Sequence, residues 1–175
     1  MDQDSLKLVL AGPVGAGKTT AIRSIADGDP ISTEVPMTDG PMGDKLTTTV
    51  ALDFATVMLD DGTPLLLYGL PGQEHFSFMR SILIKGAVGT LILLNGCDPE
   101  IASQCVSWLR AIRDIDPTIG IGVGITRMEN APDNCLNSVR HAIQESGPLV
   151  PLFTFDARDR AQARHLVLAM LLSLQ

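Results

Sequence analysis

The sequence predicts an α/β domain of three layers, with a six-stranded, mostly parallel sheet carrying one antiparallel strand and flanked by five helices. Three observations predict it. Apolar runs alternate along the chain with segments of helical period. The run Val88–Asn95 is continuously apolar, as expected of a strand covered on both faces. Asp60-Asp61-Gly62 is a turn signal between two strand-like segments, which makes one antiparallel hairpin.

The elements follow in order. Leu6–Ala11 reads as the first strand, and Lys18–Ala26 as a helix with Ile22 and Ile25 on one face. Gly28–Lys45 is rich in Asp, Gly, Pro and Ser and reads as a long loop, a length that tends to be functional. Thr48–Leu59 and Thr63–Tyr68 form the hairpin. Gly69–Gln73 is a loop leading into a helix that ends near Gly86. After Val88–Asn95, the spacing of Ile101, Cys105, Trp108 and Ile112 gives a third helix. Ile119–Ile125 is the fifth strand, Cys135–Glu145 the fourth helix and Val150–Phe155 the sixth strand. Leu166, Val167, Met170 and Leu171 mark the last helix. No repeat, low-complexity tract or linker interrupts residues 1–175, so a single domain is expected.

Composition narrows the function. The formal net charge of −7 argues against non-specific binding to nucleic acid or anionic membranes. Cys97, Cys105 and Cys135 form no C-x-x-C pair and are odd in number, which fits free thiols in a reducing cytoplasm. No run approaches the ~20 apolar residues of a membrane span, and neither a signal peptide nor a lipidation motif is visible. A cytoplasmic protein without direct membrane insertion or a lipid anchor of its own is expected. His75, His141 and His165 have no metal-ligand spacing, and Trp108 sits on an apolar helical face.

Gly12-Pro13-Val14-Gly15-Ala16-Gly17-Lys18-Thr19 fits G-x-x-x-x-G-K-[ST]. The motif follows a predicted strand and opens a predicted helix, which a chance glycine-rich loop need not do. Its glycines let successive N–H groups point inward as an anion cradle, and the following helix adds the positive end of its dipole. Lys18 then pairs with the β- and γ-phosphates of a nucleoside triphosphate, Thr19 offers its hydroxyl to Mg²⁺, and Thr20 follows at the rim.

Together with Thr47-Thr48-Thr49-Val50-Ala51-Leu52-Asp53-Phe54 and Leu70-Pro71-Gly72-Gln73-Glu74, this loop resembles Ras-like small GTPases over nearly the whole chain. The resemblance is nearest to bacterial GTPases of the gliding-motility (Mgl) type and related proteins encoded beside roadblock-domain genes. It implies a Ras-like G domain that binds GTP or GDP with Mg²⁺. It also implies two switch loops, about residues 28–49 and 69–80, which report the nucleotide to a partner. Thr49, with Thr48 second, is the implied metal ligand of the first switch, although β-propensity alone also explains a threonine run. Gly72 is implied to meet the γ-phosphate through its N–H. Gln73 is implied to orient the attacking water, so that Gln73 and Lys18 are the catalytic pair.

Two stretches depart from the Ras pattern. Where D-x-x-G is usual, the Asp position is Gly69, as it is non-Asp in Mgl-type proteins. Losing such an outer-shell partner costs ~10–100-fold in metal affinity. Where N-K-x-D reads guanine, this chain has Thr126-Arg127-Met128-Glu129. Glu129 keeps a carboxylate for guanine N1–H and the exocyclic amine, Arg127 takes the stacking place, and Thr126 lacks the amide that normally ties loops together. Asp156-Ala157-Arg158 resembles the loop whose backbone meets guanine O6, while Asp156 or Asp159 also suits a helix cap.

No arginine lies between Arg23 and Arg80, so slow hydrolysis and need of a partner are expected. By resemblance that partner is a roadblock/LC7-domain protein in a nucleotide-dependent complex. The apolar residues Phe76, Phe78, Met79, Ile82, Leu83 and Ile84 cannot all face one core, so either some meet a partner or the helix is broadly buried. Two other readings stand beside the GTP switch: a pseudo-GTPase interaction subunit, and an ATP-using P-loop enzyme.

Overall fold

The computed structural model describes residues 5–37 and 48–174, and the side chains among them apart from those of 31–37, 48–51 and His75. Its strands are β1 (Leu6–Ala11), β2 (Ile31–Met37), β3 (Thr48–Met58), β4 (Pro64–Gly69), β5 (Gly89–Asn95), β6 (Gly120–Thr126) and β7 (Leu152–Thr154). Its helices are α1 (Lys18–Ile25), α2 (Phe78–Ile84), α3 (Ile101–Ile115), α4 (Cys135–Glu145) and α5 (Arg160–Leu172). They form one sheet in the order β2-β3-β4-β1-β5-β6-β7. β3 runs against both its neighbours, and the β1–β4, β1–β5, β5–β6 and β6–β7 pairs are parallel.

The architecture is the expected one with a strand added. Ile31–Met37 was expected inside the long loop, yet it pairs antiparallel with β3 from Ile31↔Phe54 to Met37↔Thr48. Its Pro36, Glu34 and flanking Asp and Gly residues suppress a central-strand signal. All are tolerated at a sheet edge, where one side of the ladder needs no partner. The rest of that expected loop, 38–47 with Thr47, lies outside the described residues.

Strand alternation divides the core. Leu8 and Leu10 face the side covered by α1 and α5, with Ile22, Leu67, Leu93 and Met170. Val9 and Ala11 face the other side, with Ile92, Leu94, Trp108, Leu109 and Val139. Each of the wholly buried leucines contributes roughly 1.5–3 kcal/mol of transfer free energy. The glycines of β6 make room for α5: a Cβ at Gly122 would fall 2.6 Å from Met170 Sδ. α5 is capped by Asp159, whose Oδ1 accepts from the N–H of Ala161 at 2.9 Å and of Gln162 at 3.1 Å. Asp156 is thereby left for other work.

The parallel strands β1, β4 and β6 all end on the same edge, at Ala11, Gly69 and Thr126. Ligands of open α/β sheets bind in the crevice beyond such carboxyl ends.

Candidate functional site

The loop after β1 wraps into a cradle because its glycines take angles other residues avoid. Gly17, the residue before α1, has φ +98°, and a Cβ there would press within 3.3 Å of both Ala157 and Thr126. The cradle therefore lies directly against the two loops expected to read a base. Ala16 is fully buried beneath it.

Lys18 opens α1 and folds back over the loop. Its Nζ donates to the carbonyl oxygens of Gly12 and Pro13, each at 2.7 Å. Two of three ammonium protons are thus fixed on the cradle, leaving one for a ligand. Burial lowers its pKa from 10.5 to about 8, and the nearby Asp53 carboxylate opposes the fall.

Two cavities flank this cradle. The first, about 480 Å³, is lined by Lys18, Thr19, Arg23, Asp53, Gly69 and Gln73, together with Val14, Gly15 and Gly72. It gathers cationic and hydroxyl groups at a helix N-terminus, which suits phosphate. Gly72 lies against the cradle so closely that a Cβ would come within 2.5 Å of Val14 N. The loop after β4 can approach phosphate there only as glycine. Gln73 is exposed and has extended backbone, with φ −74° and ψ 141°.

The second cavity, about 350 Å³, is lined by Gly17, Thr20, Thr126, Arg127, Glu129, Asp156, Ala157 and Arg158, with Asn130. Thr126, which lacks the amide that normally ties such loops together, reaches the cradle with its hydroxyl. Its Oγ1 lies 3.1 Å from Ala16 O and 3.2 Å from Leu94 O, so its one proton bridges β6 to the cradle or to β5. Arg127 is held in the left-handed region at φ 57°, and its carbonyl accepts from Cys97 Sγ at 3.6 Å. Arg158 gathers both carboxylates of the pocket. It donates to Asp156 through Nε at 2.9 Å and Nη2 at 2.7 Å, and to Glu129 Oε1 at 3.2 Å. The Arg158 guanidinium and its backbone N–H hold the Asp156 carboxyl down at about 2.

The structure thus places Val14, Gly15, Lys18, Thr19, Gly72 and Gln73 on the first cavity and Gly17, Thr20 and the base-reading residues on the second, while Gly12 and Pro13 hold Lys18 and Ala16 lies buried. Thr49 pairs with Pro36 in the β2–β3 ladder; its side chain, expected at the metal, lies outside the described ones, as do residues 38–47. Asp53 is the residue that sequence reasoning passed over as a site. Its signal was a carboxylate within the otherwise apolar run Val50–Phe54.

Helix α2 divides between the expected alternatives. Met79, Leu83 and Ile84 are buried, whereas Phe78 and Ile82 are 39% and 59% exposed. Arg80 turns inward, with its guanidinium 4.3 Å from the centre of the Trp108 ring and 2.9 Å from Glu74 Oε2. Among the described residues, no cluster of three or more His, Cys, Asp or Glu could hold a metal alone, and no helix is long and apolar enough to cross a membrane. Mg²⁺ needs no such cluster, because it is bound through substrate phosphates, one or two protein oxygens and waters. Thr19 and Asp53 are oxygen donors of that kind within the first cavity.

No family model matches the chain. It is 26% identical over 129 residues to the GTP-binding protein ypt4 of Schizosaccharomyces pombe, covering 67% of this chain and 50% of that protein. It is 30% identical over 95 residues to the uncharacterised protein MJ1339 of Methanocaldococcus jannaschii, covering 54% of each. The chain spans about half the length of these curated relatives. The distant likeness to ypt4 supports a relationship to the small GTPase superfamily, in agreement with the fold.

Proposed function

We propose that this protein is a GTP-binding molecular switch that hydrolyses GTP slowly and needs an activating partner. One observation carries the reading: a single phosphate cradle separates a cavity bearing Lys18 and Thr19 from one bearing the Glu129 and Asp156 carboxylates. Guanine offers N1–H and an amine to such acceptors, whereas the corresponding ring nitrogen of adenine is itself an acceptor and would be repelled. The name of ypt4 agrees with GTP.

In this reading Lys18 neutralises the β- and γ-phosphates, Gly72 N–H meets the γ-phosphate and Gln73 orients the water. Thr19 and, in the triphosphate state, Thr49 would hold Mg²⁺, which would supply charge neutralisation. Among the described residues lining the first cavity the only arginine is Arg23, and the inward hold on Arg80 keeps that residue from acting as a finger. An arginine finger is worth roughly 10³–10⁵ in rate, and its supply from outside would make hydrolysis partner-dependent. The exposed Phe78 and Ile82, just beyond Gln73, provide an apolar surface for that partner. By resemblance to Mgl-type proteins it is a roadblock/LC7-domain protein acting in the cytoplasm.

The second reading is a pseudo-GTPase subunit, favoured by Gly69 and by the altered stretch Thr126–Glu129. The deciding experiment denatures purified protein and separates any released nucleotide by ion exchange, then measures binding of labelled GTP and ATP with Mg²⁺. GDP or GTP, with preference for labelled GTP, supports the switch. Failure to bind either labelled nucleotide leaves the subunit reading, and ADP or ATP refutes guanine.

A further inference from the structure

We infer that Arg23 is a specificity-determining residue, which favours the triphosphate over the diphosphate by meeting the terminal phosphate. This rests on the nucleotide-binding reading above and adds to it a residue that neither the phosphate-loop motif nor the second switch contains.

Helical spacing sets Arg23 at the phosphate cavity. It follows Thr19 by four residues on α1, so the two share one helix face. Side chains on a helix lean toward its N-terminus, which carries a long one at position 23 back over Thr19. Both residues line the first cavity, as do Gly72 and Gln73. In the switch reading those last two meet the γ-phosphate and its attacking water, so the terminal phosphate is the part of the nucleotide that shares the cavity with Arg23. Arg23 is exposed, and among the described residues no hydrogen bond or ion pair holds its guanidinium. Other arginines are spent on the protein itself: Arg113 donates to Ser146 O and Pro148 O at 2.7 Å each, and Arg160 to Ala26 O at 3.1 Å and Asp27 Oδ1 at 2.8 Å. The donor fork of Arg23 is left for a ligand, and such a fork matches phosphate oxygens.

Charge gives that fork its weight. Among the described residues lining the cavity, the charged side chains are Lys18, Arg23 and Asp53. Lys18 and Asp53 offset each other, so Arg23 supplies the net positive charge. Lys18 has also committed two of its protons to the Gly12 and Pro13 carbonyls. The γ-phosphate is the anion that GTP has and GDP lacks, so the effect of Arg23 falls on GTP. The helix beneath it is anchored in the core by the buried Ile22 and Ile25, and its charge is in place before and after the chemical step. A group held in that way grips substrate and transition state alike, which tightens GTP without speeding its hydrolysis. A purely structural Arg23 would serve only as a cation in the last turn of α1, where it suits the helix dipole, and would be indifferent to the third phosphate.

The test titrates the full chain, at saturating Mg²⁺, with fluorescently labelled GDP and with labelled β,γ-imido GTP, which is not hydrolysed. Arg23→Gln is expected to leave GDP affinity near that of the parent and to lower triphosphate affinity roughly three- to tenfold, the range of an exposed charge-assisted pair. Arg23→Glu is expected to lose more, because it repels the same phosphate. Added salt should shrink the preference for triphosphate more in the parent than in Arg23→Gln, since an exposed pair is screened. Single-turnover hydrolysis of bound GTP should run at the parental rate in Arg23→Gln. Melting temperatures, measured alongside, separate a lost contact from misfolding. A ratio of triphosphate to diphosphate affinity that stays at the parental value in both folded variants overturns this inference alone. So does a single-turnover rate lowered ~10³-fold or more, which marks an arginine finger. A parent that binds neither labelled nucleotide overturns the switch reading and this inference with it.

Discussion

Raising the pH should loosen nucleotide without unfolding the protein, and the effect should trace to Lys18. Its pKa near 8 means that the ammonium form falls from about nine-tenths at pH 7 to about one-tenth at pH 9. If only the ammonium holds phosphate, and bound phosphate keeps it charged, affinity falls about tenfold over that range, ~1.4 kcal/mol. Stability has the opposite sign. The folded pKa lies below the usual 10.5, so between about 8 and 10.5 the unfolded chain binds the extra proton, and this group makes the fold more stable as pH rises. Loss of binding therefore cannot come from alkaline unfolding driven by Lys18. Equilibrium titration with labelled GDP at pH 7, 8 and 9 reads the affinity, with thermal melts of nucleotide-free protein in parallel. Lys18→Ala should bind more weakly and lack the step, and its profile isolates the titration of the nucleobase. Equal affinity of the parent at pH 7 and 9 would refute the argument that a desolvated ammonium grips the phosphates.

Three further outcomes are expected. Glu129→Ala should lose roughly 1.5–3 kcal/mol of guanine binding while gaining nothing for adenine, read as the ratio of GTP to ATP affinities. Gln73→Ala should leave GDP affinity near that of the parent and abolish activator-stimulated single-turnover hydrolysis; stimulation equal to the parent would remove Gln73 from the chemistry. Asp159→Ala should lower unfolding free energy by ~1 kcal/mol in denaturant titration without changing GTP-to-ATP selectivity, because its oxygens serve the N–H groups of Ala161 and Gln162.

Local signals carried the central fold. Val88–Asn95 was legible because a two-sided buried strand needs no alternation, and the cradle because glycine spacing, strand and helix all agree there. Ile31–Met37 was not, since an edge strand takes its identity from the partner β3 rather than from its own composition. The same reason hid Asp53, which faces Gly69 across a ladder, because register is a tertiary property no single segment displays. Thr126 lacks the amide that normally ties such loops, yet its Oγ1 lies 3.1 Å from Ala16 O, a contact visible only in the fold.

In the switch reading, these placements let a chain of net charge −7 hold a polyanion. Exposed charges beyond ~8 Å are largely screened at physiological salt, so the groups around the cradle decide, not the total. Lys18 and Arg23 line one cavity with Asp53, while Glu129 and Asp156 line the other with Arg127 and Arg158. The first cavity is therefore net positive and the second balanced, so in the switch reading the phosphates favour the first. Arg158 moderates this polarity by holding both carboxylates, so that Asp156 and Glu129 do not repel each other out of position. In that reading the charge difference between the two cavities favours one orientation of the nucleotide, and Glu129 and Asp156 serve as acceptors for its base.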